Sequence, residues 1–526
     1  MKKTGKLVSL VLAVAMTATL LAGCGGGNSG ETTDTGAKGD GNESGAAVES
    51  GGKLKDTIVF AQSADVTSLD PHAIVNMRSF DVYGNIFEGL VDLDEKNQIV
   101  PALAESWERI DDKAMRFKLR QGVKFHDGST MTAEDVKYSF ERMINSKIVS
   151  TYVGFLESVE IEDENTVILH CSEPYSQMLI TLTIPCCAIV PKAIVEADEE
   201  GFGKKPIGTG PYKFTEWKES ESVTMQAFND YWGEPAKTTN LIMKVVPEGS
   251  PRTIMLETGE IDVAYDVLAN DASRIEEDKN LELMHQVGQK FSVIYFKADS
   301  KSPVGNPKVR QAIQYAVNKE ELLQAIKAGY GQLGQLYATP NTVGYDAAKD
   351  GSEYNQEKAK QLLTEAGYPN GFDLSIYTTE GQSYVETAQI LQAQLQEVGI
   401  NSTITTLEQN TLNQKVYDGE DIQMRINFYN NLAGDMDFVM SKLVTSAYGQ
   451  TYFNDEVDKL QLKARAEFDD TKKNAVYGEF LDLMAQDMPW MTLYYEENLV
   501  GVSNKIQNFT MSNIGAYKYK NVTITE

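Results

Sequence analysis

"DLSIYTTEGQSYVETAQILQAQLQEVGINSTITTL", residues Asp373 to Leu407, carries the pattern that decides the fold. Asp373 to Thr378 alternates like a strand. Tyr384 to Val398 places Ile390, Leu391 and Leu395 on one helical face, and Gly399 stops that helix. Ile400 to Leu407 returns as a second strand. A helix between two strands of one sheet makes them parallel, so the stretch is a βαβ unit.

The same grammar extends in both directions. "LIMKVV" (Leu241 to Val246) reads as a buried strand, Ser250 to Thr258 as a short helix ended by Gly259, and "IDVAY" (Ile261 to Tyr265) as the next strand. Ile422, Met424, Ile426 and Phe428 alternate along "IQMRINF", which joins the sheet of the first unit and ends in polar "YNN". Asn306 caps a helix that starts at Pro307 and buries Val309, Ile313, Ala316 and Val317; Asn318 and Glu321 open another. Thr132 and Asp135 form a capping-box-like start for a helix burying Val136, Phe140, Met143 and Ile144. The class is α/β, and the length allows more than one lobe.

Residues 1–23 read as a secretory leader: Lys2, Lys3 and Lys6, then an apolar run from Leu7 to Leu21 that is too short to span a bilayer. Leu21-Ala22-Gly23-Cys24 resembles a lipobox, which implies a diacylglycerol thioether on Cys24; the plain alternative is an ordinary cleaved leader beside a stray cysteine. Two acyl chains anchor stably where one does not. Residues 24–55 follow as a tether of Gly, Ser, Thr, Asp and Glu that cannot recover its ordering entropy, with a reach on the order of 30 Å.

Formal charge is −28, and −31 once the three leader lysines are removed. Such a surface repels phosphate and anionic lipid, which argues against nucleic acid as a partner and gives a covalent anchor a purpose. Cys171, Cys186 and Cys187 have no zinc-like spacing; they read as small core residues, with a bridge from Cys171 to Cys186 or Cys187 left open.

Catalytic patterns fail individually. Gly329 to Gly334 spells G-x-G-x-x-G but follows a helix instead of a strand, and Gly208 to Gly210 lacks the Lys and Ser/Thr of a phosphate loop. His72, His126, His170 and His285 are scattered. No enzyme activity, cofactor or metal is expected, and a membrane-anchored hydrolase is kept as the alternative class.

"ALAESWERIDDKAMRFKLRQGVKFHDGSTMTAEDVKYSFERM" (Ala102 to Met143) resembles the signature of the peptide and nickel type of extracellular solute-binding proteins, family 5, of bacterial ABC importers. "PIGTGPYKF", "FNDYWGEP", "LETGEIDVA", "NPKVRQAIQYAVNKEELL" and "AKQLLTEAGYPNGF" extend the likeness over about Ile58 to Phe509. It implies a bilobal periplasmic-binding-protein-like fold, type II and cluster C-like, with two inter-lobe crossings. Lobe I would be 56–88, 205–289 and 489–526; an inserted subdomain 89–204; lobe II 290–488. Tyr295, Phe296 and Trp490 would lie near the hinge.

A ligand closes two lobes only by touching both, so the site belongs in the cleft, beyond the carboxyl ends of strands. This points to Tyr265, Asp266 and Asn270 in one lobe, and to Thr378, Thr379, Glu380, Tyr384, Tyr429, Asn430 and Asn431 in the other. The expected ligand is a peptide or other small polar solute, with a metal chelate or an oligosaccharide as alternatives. Expected partners are permease subunits with their ATPases. The protein would be a monomer on the extracytoplasmic face of the bacterial membrane.

The resemblance also exposes a departure. Family members that bind free peptides commonly hold the α-amino group with an aspartate a few residues after an aromatic, shortly before an Asp-Pro pair. In "NFYNNLAGDMDF", matching Tyr429 and Asp435 to that pattern puts Leu432 at the amine position. A shift of three residues would put Asp435 there instead, and Glu380 is a further acid near the cleft.

Overall fold

Two long strands organise the molecule. Leu281–Phe296 and Trp490–Ser503 run antiparallel, from Leu281 opposite Ser503 to Tyr295 opposite Trp490. The computed structural model describes residues 53–351, 353–445 and 451–526; the leader, Cys24 and nearly all of the tether lie outside them. Residues 52–526 form one unit.

One end of the long ladder carries Val263–Ala264, Thr57–Gln62, Asn240–Val245, Ser222–Ala227 and Tyr212–Lys218, in that order. The other end carries Met424–Asn430, Phe372–Thr379 and Ile400–Leu407. The sheet is therefore continuous through two lobes, and the fold is a bilobal α/β architecture. The ladder slips between Val287 and Phe291. That irregularity lies between the part of the ladder facing Val263–Ala264 and the part paired with Met424–Asn430, several residues ahead of Tyr295.

Both βαβ readings are present. Phe372–Thr379 pairs parallel with Ile400–Leu407 across helix Gln382–Gln396, and Ile376 aligns in parallel with Met424. In the other unit the second strand shrinks to Val263–Ala264, and Thr57–Gln62 lies between the two strands, parallel to both. The helix starts also form. Asn306 accepts from the Lys308 amide, Asn318 from that of Glu321, and Thr132 with Asp135 closes a reciprocal capping box.

A separate four-stranded antiparallel sheet, ordered Ala104–Arg109, Ala114–Leu119, Thr166–Cys171, Leu156–Asp163, packs on helix Ala133–Asn145. Its core is continuous with that of the first lobe, joining Phe117, Val136 and Phe140 to Phe60, Tyr83 and Tyr265. Cys171, Cys186 and Cys187 are free thiols inside that core, so no bridge from Cys171 forms. In the second lobe both sheet faces are covered: Ile313, Leu391 and Leu395 pack on one, Met436, Val457 and Phe480 on the other. After the helix ending at Lys327, Gly331–Gln332 pairs with the Trp490–Ser503 strand, so the G-x-G-x-x-G string opens no helix.

Candidate functional site

The first lobe's contribution starts with a buried arginine. Arg252, 3% exposed, donates to the backbone carbonyls of Val246, Pro247, Tyr265 and Asp266 at 2.6–3.0 Å. It ties together the loops leaving two strands. Asp266 follows in a left-handed conformation, φ 50°, which a non-glycine residue rarely adopts without support. Its carboxylate accepts from Ser63 Oγ at 2.7 Å and Arg78 Nη2 at 2.8 Å.

Arg78 also pairs with Asp81 at 3.0 Å, from the first turns of a helix capped by Asn76. Burial pushes the Asp81 carboxyl up to about 8, against the pull of Arg78. Burial also works against the charge on Asp266. There Arg78, Ser63, Arg252 and Lys290 prevail and hold its carboxyl below the usual range.

The second lobe answers with Lys290, Phe428 and Asn430. Lys290 Nζ sits 4.4 Å from the Phe428 ring centroid and 3.1 Å from Glu496, which Lys327 also contacts at 3.0 Å. Arg78, Tyr265, Asp266 and Tyr517 from one lobe enclose a cavity of about 190 Å³ with Lys290, Phe428 and Asn430 from the other. Gln289, Asn498 and Asn513 complete its polar wall. A larger depression of about 630 Å³ runs along Asn355, Lys358 and Thr364. It is open surface bordering one helix and has no second wall.

The sequence-derived residues divide accordingly. Tyr265, Asp266 and Asn430 line the cavity. Asn270 is exposed on helix Ala269–Glu277 and lies off the lining. Thr378 is fully buried and donates to the Tyr384 carbonyl at 3.3 Å, Thr379 is buried, Glu380 is exposed and Tyr384 is half-buried. Tyr429 donates to the Phe438 carbonyl, and buried Asn431 stitches its own turn by bonding Asp435 O and Gly434 N. Tyr295 meets Trp490 edge to face, centroids 4.9 Å apart, while Phe296 is buried in the second-lobe core.

Arg78, Lys290, Asn498, Asn513 and Tyr517 were not legible as site residues. Only Lys290, a cation heading the apolar run "FSVIYF", carries a sequence signal.

The inserted subdomain also touches the second lobe directly. Gln177 Nε2 donates to Tyr477 Oη at 2.8 Å, the Ser176 amide to Arg465 O at 2.8 Å, and Tyr152 stacks on Phe438 at 5.3 Å. Asp435, 3% exposed, accepts from Tyr477 Oη at 2.8 Å and from the Asp437 amide at 2.8 Å. Asp437 is paired with Arg465.

Glu496 supplies a pH-dependent prediction. Burial opposes its charge, but Lys290 and Lys327 lower its carboxyl from 4.5 to about 2. A depressed acid stabilises the fold fully above its unfolded value and loses that contribution as pH falls toward its folded one. Stability should drop by roughly 2–3 kcal/mol between about pH 5 and pH 2 from this group. Denaturant unfolding of Glu496→Gln across that window should show a correspondingly flatter profile; an unchanged slope would remove Glu496 from the account.

The comparisons with known proteins bear on a chain of this geometry. The model of bacterial extracellular solute-binding proteins, family 5 Middle, matches residues 98–451. The glutathione-binding protein GsiB of Escherichia coli K12 is 29% identical over 471 residues, 86% of this chain and 91% of that protein. The periplasmic binding protein DppA of Helicobacter pylori, solved with the peptide STSA, superposes with a TM-score of 0.78 at 27% identity, covering 90% of this chain and 99% of that one. AgaA of A. tumefaciens R10, solved with agropinic acid, gives 0.76 at 27% identity over 89% and 99%. With the family model spanning well over half of its length, the chain belongs to the bacterial extracellular solute-binding proteins of family 5.

Proposed function

We propose that the chain is the ligand-capturing receptor of a bacterial ABC importer, taking a small polar solute into the cleft and delivering it to the permease. The observation that carries this reading is a polar cavity walled by both lobes, because a solute bound there favours the closed form. Relatives named for glutathione and solved with a peptide support a ligand of peptide size. The receptor acts as a monomer held at the extracytoplasmic face by lipid on Cys24. Energy comes from the partner ATPases.

The ligand is a peptide whose amino terminus is blocked or modified, or another polar solute. Leu432 occupies the position where the family resemblance would put an amine-binding aspartate, and Asp435 is committed to Tyr477 and its own helix cap. A buried ammonium without a counter-charge costs several kcal/mol. Titration calorimetry on Cys24→Ala protein, expected in the soluble fraction, tests both parts. Free dipeptides and tripeptides should bind weakly. Micromolar binding that is lost on N-acetylation and lost again in Asp435→Asn would restore an ordinary peptide receptor, and a variant that still sediments with membranes would sink the anchor.

A further inference from the structure

The strand register puts three side chains of the second lobe on one face of the sheet. Lys290 stands opposite Asn430 and Ser292 opposite Phe428, while Phe291 and Tyr429, opposite each other, turn the other way into the core. Lys290, Phe428 and Asn430 all line the cavity of about 190 Å³. Lys290 Nζ lies 4.4 Å from the ring centroid of Phe428, which is 41% exposed, so the ammonium sits at the cavity wall and not beneath it.

Charge around this cavity runs against the rest of the chain. The whole sequence has 76 acidic residues against 48 basic ones. Here Arg78, Arg252, Lys290 and Lys327 surround Asp81, Asp266 and Glu496, four cations to three acids. Burial that pushes Asp81 toward its neutral form widens the excess.

The acids are also committed. Asp266 accepts from Ser63 Oγ and from Arg78, and Glu496 is divided between Lys290 at 3.1 Å and Lys327 at 3.0 Å. One carboxylate cannot neutralise two ammonium groups. An ammonium carries three N–H donors, and Glu496 takes one from Lys290, so donors are left for a further acceptor. Asn430 adds a carboxamide that makes no hydrogen bond among the described residues. A recess walled by protein and lined by excess positive charge concentrates anions. Its small volume admits one end of a peptide-sized solute, not the whole.

We propose that Lys290, with Asn430 opposite it, is a specificity residue of the cleft and receives a carboxylate or phosphate group of the solute. The assignment rests on the receptor reading above and names the substrate class for it, small anions. Phe428 beside the ammonium offers an apolar face to the carbon that carries the anionic group. A peptide with a blocked amine keeps its carboxylate and belongs to this class.

The test uses three probes on the full-length Cys24→Ala protein: N-acetyl-Ala-Glu, the same compound with both carboxyls amidated, and glycerol 3-phosphate. At least one anion should raise the melting temperature and bind by calorimetry. Its affinity should fall tenfold or more in Lys290→Gln and recover in part in Lys290→Arg. Which anion binds separates a carboxylate source from a phosphate source. Asn430→Ala, which leaves every ion pair in place, should weaken the same anion threefold or more. Lys327→Gln removes a charge from the same carboxylate but none from the cavity lining, so it should cost less than threefold. An equal loss in Lys290→Gln and Lys327→Gln would overturn the inference, because it marks a field effect without contact. So would a failure of both anions to stabilise the protein. Equal binding of the diamide would overturn it while leaving the receptor reading intact. Hydrolysis of a probe, read by mass spectrometry of the same samples, would instead overturn the receptor reading and the inference with it.

Discussion

Arg252→Met is expected to lower unfolding stability by about 3–5 kcal/mol and to weaken ligand binding at the same time. The side chain is 3% exposed and donates to the carbonyls of Val246, Pro247, Tyr265 and Asp266. A buried acceptor left without a donor costs about 1–3 kcal/mol, and some relaxation or water entry offsets part of the total. The loss falls on the loop that holds Asp266 at φ 50°, so the cavity wall moves with it. Arg252→Lys should rescue little, since one ammonium cannot reproduce the spread of a guanidinium over four carbonyls. Urea unfolding measures the effect. A loss under about 1 kcal/mol would show that water replaces the arginine without strain.

Arg465→Met should be comparably damaging, by about 3–5 kcal/mol, for a different reason. Arg465 grips Asp437 through Nε at 2.7 Å and Nη2 at 3.0 Å, and the Asp437 side chain is 3% exposed. Removing the guanidinium strands a carboxylate that, among the described residues, only the Tyr175 hydroxyl of the inserted subdomain, 3.4 Å away, still meets. The double variant with Asp437→Leu should recover most of the loss, because replacing both charges leaves nothing buried and unpaired. Failure of that recovery in unfolding experiments would mean that Arg465 acts through packing on Tyr175, whose ring lies 5.4 Å from its guanidinium. The site also joins the inserted subdomain to the second lobe through Ser176 and Gln177, so small-angle scattering of the single variant should show a more open ligand-free form.

Local elements were legible because their causes are local. Period-2 and period-3.6 patterns placed the strand at Ile400–Leu407 and the helix now bounded by Gln382–Gln396. Asn306, Asn318 and Thr132 capped as their side-chain chemistry requires. The reading failed where an element borrows its partners. "IDVAY" kept only Val263–Ala264, because its pairing is limited to Phe60 and Ala61 on one side and Val502 and Gly501 on the other. Asn431 looked like a ligand contact because amides at a strand's end are hydrogen-bonding groups. In the folded chain both ends of that amide are satisfied by its own turn.

By itself the sequence determined the α/β class, the helix caps and the likeness to family 5, all of them properties of contiguous residues. Only the tertiary structure decided which charges are spent and which stay available. Asp435 and Asp437 read as equals in "GDMDF", yet one caps a helix against Tyr477 and the other is locked to Arg465. Arg78 and Arg425 also read as equals, yet one is shared by Asp81 and Asp266 while the other faces a ring. A charge's role depends on its neighbours within a few ångströms, and here long-range pairing supplies those neighbours from residues as far apart as Arg78 and Asp266.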